Sequence, residues 1–277
     1  MNGRTVWLAS YPKSGNTWLR AVLSAWHTGF PARLDALVGR GAAAREPLDD
    51  ALGIPSSDLT PAEVAILRPR VDELLAAASE DTLLRKTHDG LYPGPEGEPV
   101  ISVQATRSAV YMIRDPRDVA VSLAHHDGRD LEWVVDHLDD PNATRSGIQG
   151  ALEYQVTQRT GTWSDHVRSW VDDAPFPVHV VRYEDCLDDP VLAFGAVLRF
   201  IDREPVDGAG IALAVAHASF DHLRGEESRA GFAERPRQST RFFRHGRAGA
   251  WRDEMTIEAA ARVELAHGEV MARFGYL

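Results

Sequence analysis

The chain has 277 residues, of which 44% are hydrophobic and 26% are charged. This composition is typical of a folded globular protein and excludes disordered and collagen-like chains. The formal net charge of −11 at pH 7 creates a field that repels polyanions. We therefore expect no nucleic acid partner, and an anionic ligand would require a local basic pocket.

The single cysteine, Cys186, can form no internal disulfide, which suits a reducing compartment. No apolar run reaches the roughly 18 residues that a membrane span needs. We expect a cytoplasmic protein with no membrane span. Of the 30 basic residues only Lys13 and Lys86 are lysine, and both stand beside candidate site residues.

The chain begins with an apolar run at 5–9 that predicts a strand, followed by a turn containing Pro12 and Gly15. Apolar residues then recur with a helical period, which predicts a helix over 16–28. Residues 30–58 show no steady period and are interpreted as an irregular excursion. A capping box of Thr60 and Glu63, with Pro61 between them, predicts the start of the next helix.

Two further strands are predicted at 82–86 and 109–113, separated by a loop rich in proline and glycine. Asp115 as cap and Pro116 at the first helical position predict a helix that reaches about His125. Residues 127–150 are predicted to be a loop or short helices. The pattern then predicts, in order, a helix around 163–171, a strand at 178–181 and a helix around 191–201.

This alternation of strands and helices predicts an α/β fold, a single domain over 1–277 with a central, mainly parallel sheet flanked by helices. Ligands of such folds bind at the carboxyl ends of the strands. The irregular segments are expected to form substrate or lid regions, and they are 30–58, 89–106, 127–150 and 225–250.

The loop at 11–18 lies between the first strand and the first helix. Its backbone N–H groups and the helix N-terminus form a concavity for phosphate-type oxygens, and Lys13 adds a positive charge. The order of Lys13, Ser14 and Gly15 differs from a Walker A loop. An ordinary strand-to-helix turn with a surface lysine is the alternative.

Two further groups of residues follow later strands. His88, just past the second predicted strand, could remove a proton from an attacking hydroxyl, while Lys86 stabilises charge on the transferred group. Arg114 and Ser122 could both face one anion near the start of their helix. The alternatives are a structural histidine and a surface salt bridge with a solvent-facing serine.

An arginine-rich segment lies near the end of the chain. Residues 235–252 contain six arginines and no acidic residue. In a chain with this net charge, such a segment is either an anion-binding element or a very exposed loop.

Together these blocks resemble the PAPS-dependent sulfotransferase family. The blocks are Y-P-K-S-G-N-T-W at 11–18, R-K-T-H at 85–88, R-D-P-R-D with serine over 114–122, R-Y-E-D at 182–185, S-F at 219–220, and R-H-G-R-A-G-A-W at 244–251. Their order matches the family over nearly the whole chain. Local similarity at 1–3 and 9–13, with the arginine-rich and alanine-rich usage, also resembles glycopeptide sulfotransferases of bacteria.

The resemblance implies a P-loop-like phosphosulfate-binding loop after the first strand and a role for each matching residue. Lys13, Ser14, Gly15, Asn16, Thr17 and Trp18 match the loop for the 5′-phosphosulfate, with Trp18 stacking on adenine. Arg114 and Ser122 match the 3′-phosphate pair, His88 the general base and Lys86 its companion. The remaining donor contacts match Tyr183, Phe220, Arg244, His245 and Gly246.

The chain departs from the family pattern at several positions. Asn16 stands where a hydroxyl residue is common, and Arg244-His245-Gly246 replaces a frequent Arg-Lys-Gly. Arg252 and Thr256 partly match a dimer motif of cytosolic members of the family, but Ala261 stands where that motif has glutamate. The oligomeric state is left open, with a homodimer among the possibilities.

The expected function is an in-line transfer of a sulfuryl group from PAPS, with PAP as product, to a hydroxyl of a small molecule. The acceptor is a phenol or alcohol of bacterial secondary metabolism, and no metal is expected. The alternatives are a metal-dependent nucleotide kinase or NTPase, a non-catalytic nucleotide-binding protein, and a metal site at His125, His126, Asp127 and Asp130.

Three aromatic residues are candidates for the acceptor wall. Tyr92, Trp133 and Tyr154 lie in or near the irregular segments, and aromatic walls suit a flat or apolar acceptor. Core packing or surface exposure would explain each of them as well.

Overall fold

The structure is a computed structural model that describes residues 3–145, 154–202, 206–236 and 238–277. Strands are numbered in chain order: β1 (Thr5–Ser10), β2 (Arg40–Gly41), β3 (Leu83–Thr87), β4 (Thr106–Ile113), β5 (Thr144–Arg145), β6 (Gln158–Arg159) and β7 (Val178–Arg182). Five of them form one sheet in the order β2-β3-β1-β4-β7, and β5 pairs with β6. β3 pairs in parallel with both β1 and β2, with Thr5 opposite Leu83 in the first pair.

The described residues also form helices, most of them between successive strands or after the last strand. They are α1 (Asn16–Thr28), α2 (Arg45–Leu52), α3 (Pro61–Ala78), α4 (Pro116–Asp127), α5 (Leu131–Leu138), α6 (Trp163–Val171), α7 (Tyr183–Asp188), α8 (Pro190–Asp202), α9 (Gly208–His217), α10 (Phe220–Ala230), α11 (Trp251–Glu254) and α12 (Ile257–Arg273). The α/β fold with a parallel central sheet, predicted from the sequence, is confirmed.

The chain divides into two compact units. Unit 1 comprises Met1–Tyr11, Gly39–Tyr111 and Asp140–Val180, and unit 2 comprises Pro12–Val38, Met112–Asp139 and Val181–Leu277. In unit 1 every residue of β1 is buried, as expected for a strand with neighbours on both sides. In unit 2, α1 packs against α8 and α9. The single domain over 1–277 stays a prediction.

Several local predictions are confirmed in detail. Helix α1 has the predicted bounds, and its buried residues include Leu19, Val22 and Leu23 of the helical pattern. Helix α3 begins with the predicted capping box, in which the Thr60 hydroxyl accepts from the Glu63 N–H and the Glu63 carboxylate accepts from the Thr60 N–H. Helix α4 begins at Pro116 with the Asp115 carboxylate as its cap.

The predicted irregular segments need correction. Residues 30–58 contain β2, α2 and a 3-10 turn over Ser56–Asp58, and α2 buries only Leu48, so its sequence carries no apolar period. Residues 225–230 belong to α10, and 131–138 form α5, one of the short helices allowed for 127–150. Positions 146–150 of that segment, and Arg237 of the arginine-rich one, lie outside the described residues. None of the helices in the described ranges combines the length and apolar character needed to cross a membrane.

Candidate active site

The loop after β1 contains two residues, separated by Ser14, that depart from the usual negative φ. Lys13 has a φ of 69° and Gly15 a φ of 105°, both in the left-handed region. A side chain at Gly15 would place its Cβ 2.7 Å from the Tyr183 ring and 2.9 Å from the Met112 sulfur. Because Gly15 is also the cap of α1 and supplies no side-chain hydrogen bond, the first N–H groups of that helix receive no side-chain cap.

Arg114 anchors this loop from the end of β4. Its Nη1 donates to the Lys13 carbonyl oxygen at 3.3 Å, and its Nη2 donates to the Arg247 carbonyl oxygen at 3.0 Å. The guanidinium lies over the Tyr183 ring at 4.4 Å and within 3.6 Å of the Asp118 carboxylate. A nearly buried positive charge is thereby held beside the loop.

Buried polar atoms around the loop still lack partners. The Ser14 hydroxyl, the Arg114 Nε and the Trp18 Nε1 are buried without a hydrogen bond to any described residue. Buried polar groups in folded proteins are normally satisfied by protein, water or ligand. Donors that surround an uncapped helix start suit an oxyanion such as phosphate or sulfate.

Aromatic rings line the other side of the loop. Trp18 packs edge-on against Tyr183 and Phe194, with ring centres 5.8 and 5.1 Å apart. The Lys13 ammonium lies 3.9 Å from the centre of the Phe242 ring. Burial raises the pKa of the Tyr183 hydroxyl, so this side chain remains neutral.

The remaining residues predicted for the donor lie on neighbouring elements of unit 2. Ser122 is half-buried in α4. Phe220 begins α10, packs 6.3 Å from Phe243, and leaves no room for a side chain at Gly246, where a Cβ would lie 2.4 Å from its ring.

Arg244 and His245 both face an acidic residue in this structure. Arg244 pairs with Glu254 at 2.7 Å, and His245 lies 3.7 Å from the same carboxylate. Burial opposes ionisation of Glu254, but hydrogen bonds from Arg244 and His125 lower its pKa to about 2. The positive charge of the arginine-rich segment is thus partly neutralised by acids that begin at Asp253, just beyond it.

The histidines of the alternative metal site have other partners. His125 pairs with Glu254, and His126 pairs with Asp127. Over the described ranges, no group of three or more histidine, cysteine or acidic residues could hold a metal ion.

In unit 1, His88 follows β3 with its ring orientation defined. Its Nδ1 lies 2.9 Å from the Ser10 carbonyl oxygen. Since a carbonyl can only accept, Nδ1 carries the proton and the neutral ring has its lone pair on Nε2. Lys86 lies two residues earlier in β3, opposite Leu8 of β1, and is half-buried.

Asp89 organises the chain directly after His88, and sequence reasoning did not identify it. Its carboxylate accepts from Arg68 at 2.6 Å, from the Thr87 hydroxyl at 3.1 Å and from the Arg159 N–H at 3.1 Å. Its carbonyl oxygen accepts from the Trp170 indole at 2.9 Å. Both ionic partners are buried, so loss of either would leave an uncompensated charge.

His166 is a second residue that the sequence did not reveal. Its Nε2 lies 3.1 Å from the His88 carbonyl oxygen, and its Nδ1 lies 2.8 Å from the Tyr111 hydroxyl. Complete burial lowers the pKa of His166 to about 4, so the ring is neutral at pH 7. A neutral ring donates from Nε2 and accepts at Nδ1, which matches both contacts. The only sequence signal was its place between Trp163 and Trp170 on the buried face of α6.

The structure groups the predicted residues within each unit. Unit 2 brings together Lys13, Ser14, Gly15, Trp18, Arg114 and Tyr183, and unit 1 contains Lys86 and His88. Of the aromatic acceptor candidates, Tyr154 is 93% exposed, and Trp133 stacks on His137 at 4.9 Å. Tyr92 packs over Gly90 and Gly161 in unit 1.

Residues 4–275 match the family model described as the sulfotransferase domain. The chain belongs to the sulfotransferase family. Rat sulfotransferase 1A1 is 24% identical over 95% of this chain and 83% of its own length. Human sulfotransferase 2B1 is 24% identical over 58% of this chain and 44% of its own length.

Two solved structures with PAP bound have the same fold. A mouse sulfotransferase complexed with PAP has a TM-score of 0.62 at 19% identity, covering 96% of this chain and 84% of that one. Retinol dehydratase in complex with androsterone and PAP has a TM-score of 0.59 at 20% identity, and the match covers 98% of this chain and 81% of that one.

The loop geometry predicts that Gly15→Ala is destabilising. An alanine at position 15 would have both backbone strain at positive φ and a steric clash with the Tyr183 ring. An alanine at position 53, where φ is 69°, would have the backbone strain alone, because no atom lies near its Cβ. We expect Gly53→Ala to lower the free energy of unfolding by about 1–2 kcal/mol and Gly15→Ala to lower it by about 1–3 kcal/mol more. Urea unfolding of both variants measures the difference, and equal losses would contradict the packing described for the loop.

His166 predicts a loss of stability in mild acid. Its pKa in the folded state, about 4, lies below the ordinary 6.5, so protonation favours the unfolded chain. This contribution is fully present above pH 6.5 and is lost as the pH falls towards 4. The resulting loss in the free energy of unfolding between pH 7 and pH 5 amounts to about 2 kcal/mol.

The comparison that isolates this contribution uses His166→Gln, whose amide can still donate to the His88 carbonyl but does not titrate. Urea unfolding at both pH values should show a smaller loss for the variant than for the wild type. An identical loss in the two proteins would refute the assignment to His166.

Proposed function

We propose that this protein transfers a sulfuryl group from PAPS to a hydroxyl group of a small molecule and releases PAP. The observation that carries the proposal is the loop with its unpartnered donors, Ser14 Oγ and Arg114 Nε, beside the uncapped start of α1. Such a site suits the phosphosulfate of the donor. The family membership and the PAP-bound structures of the same fold support it.

The residues of unit 2 would bind the donor. The loop N–H groups and Lys13 would stabilise negative charge on the departing phosphate. Arg114 and Ser122 would bind the 3′-phosphate, and Trp18 and Tyr183 would contact the adenosine, with Phe220 and residues 244–246 completing the site. Arg244 can bind the donor only by giving up or sharing its pairing with Glu254.

The residues of unit 1 would act on the acceptor. As the acceptor oxygen forms its bond to sulfur, the bond between sulfur and the bridging phosphate oxygen breaks, and His88 Nε2 takes the acceptor proton. The contact between Nδ1 and the Ser10 carbonyl holds the tautomer that this step needs. Lys86 would stabilise charge on the sulfuryl oxygens.

The acceptor is proposed to be a phenol or alcohol of bacterial secondary metabolism. Arginine-rich, lysine-poor usage and the local similarity to glycopeptide sulfotransferases support this choice. The reaction is proposed to occur in the cytoplasm and to proceed without a metal, since fixed cations and N–H groups supply the positive charge.

The role of His88 predicts the behaviour of His88→Ala. We expect turnover with labelled PAPS and a phenol panel to fall by about 10²–10⁴-fold, because the acceptor proton loses its base. The dissociation constant for PAP, measured by calorimetry, should change less than twofold. EDTA should leave the wild-type rate unchanged.

His27→Ala, an exposed histidine in α1, is the matched control and should keep full turnover. Undiminished turnover in His88→Ala would refute the role of the base. Binding of PAP without any transfer by the wild type would favour a non-catalytic nucleotide-binding protein.

A further inference from the structure

Unit 1 contains a cleft of about 390 Å³ beside the end of β3. The apolar part of its lining includes Leu59, Val64, Ala65, Val100 and Val156. Val64 and Val156 belong to a buried apolar cluster that also includes Val71. A cleft of this volume is within the range that binds a single small molecule.

The cleft reaches the chain directly after His88. Asp89 and Gly90 line it, and two residues span at most about 7 Å. The contacts of Asp89 with Arg68 and with the Arg159 N–H hold this segment in place. The backbone of the proposed base therefore lies within about 7 Å of the cleft lining, and His88 itself is not among the described lining residues.

The charged residues that line the cleft carry a net positive charge. Among the described lining residues three are arginines, Arg45, Arg68 and Arg159, and one is acidic, Asp89. Arg68 and Asp89 form a buried pair with a contact of 2.6 Å, so they neutralise each other. Arg45 and Arg159 add positive charge to a cleft in a protein whose net charge is −11.

Tyr92 gives the cleft a flat aromatic side. Its hydroxyl donates to the Thr160 carbonyl oxygen at 2.9 Å, and burial raises the pKa of this hydroxyl. A side chain at Gly90 or Gly161 would lie within 2.2 or 2.7 Å of Tyr92, so the ring is closely seated. The Arg159 guanidinium lies over the ring, 4.8 Å from its centre.

We propose that this cleft binds the acceptor and selects a hydroxyl compound with a flat apolar body and an anionic group, such as a hydroxyaryl carboxylate. The inference rests on the proposed function for the reaction at the hydroxyl. Arg159 binds the anionic group, while the valines and Tyr92 contact the apolar body. A guanidinium that stacks on an aromatic ring keeps its N–H edges available for a carboxylate.

The test compares 4-hydroxyphenylpropanoate with its neutral methyl ester as acceptors. In the wild type we expect kcat/KM for the acid to exceed that for the ester by about tenfold, because a charge-assisted hydrogen bond is lost in the ester. Arg159→Gln should raise KM for the acid about tenfold and leave KM for the ester within twofold. Arg159 is exposed, so the variant is expected to fold.

Arg70→Gln is the matched control because it removes the same charge from an exposed position of α3 outside the cleft lining. This control should leave KM for the acid and KM for the ester unchanged. Equal use of acid and ester by the wild type, or an equal effect of the two arginine variants, would overturn the inference and leave the proposed function standing.

A binding measurement separates the two claims. Calorimetry with 4-methoxyphenylpropanoate, which has no hydroxyl to sulfate, should show binding that weakens about tenfold in Arg159→Gln. If it binds in this way but no hydroxyl compound is sulfated, the proposed function fails and the ligand class of the cleft stands. If it does not bind to the wild type, the inference fails.

Discussion

The contact between the Arg114 guanidinium and the Lys13 carbonyl oxygen is the constraint on which the proposed donor loop depends. Lys13 has left-handed backbone geometry, which costs a non-glycine residue free energy and persists only where neighbours hold it, whereas Gly15 adopts its positive φ without that cost. Arg114 holds the loop, and Tyr183 and Met112 leave space only for a glycine at position 15. The result is a ring of donors around the uncapped start of α1. In the proposed donor site, the backbone would therefore bind an anion as much as the lysine side chain would.

A different buried interaction organises the residues around His88. The pair of Asp89 and Arg68 links the end of β3 to α3, and the same carboxylate accepts from the Arg159 N–H of β6. His166 then donates to the His88 carbonyl oxygen from α6. These contacts fix the backbone at His88, while Ser10 fixes the ring tautomer. Asp89 and Gly90 of the same segment line the cleft, so the contacts that position the proposed base also shape the cleft.

The sequence predicted the local features of the fold and of the site. The bounds of α1 and the Thr60 capping box depend on neighbouring residues, and these were predicted correctly. The place of the Lys13 loop between β1 and α1 is also confirmed, while its role as a binding loop stays a prediction. Asp89 and Arg68 are 21 residues apart, and no periodicity reports such a pair. The ion pair of Arg244 with Glu254 depends in the same way on the folded chain. Helix α2 was missed because it buries a single apolar side chain, Leu48.

The most direct test of the account is thermal unfolding with PAP, ADP or ATP, each with and without Mg²⁺. A ligand at one hundred times its dissociation constant adds about 2.7 kcal/mol, which for a chain of this size raises the unfolding temperature by roughly 5–10 °C. We predict that PAP raises the unfolding temperature by this amount with or without Mg²⁺, and that ADP raises it less. A rise with ATP and Mg²⁺ alone would contradict it and favour a kinase or NTPase.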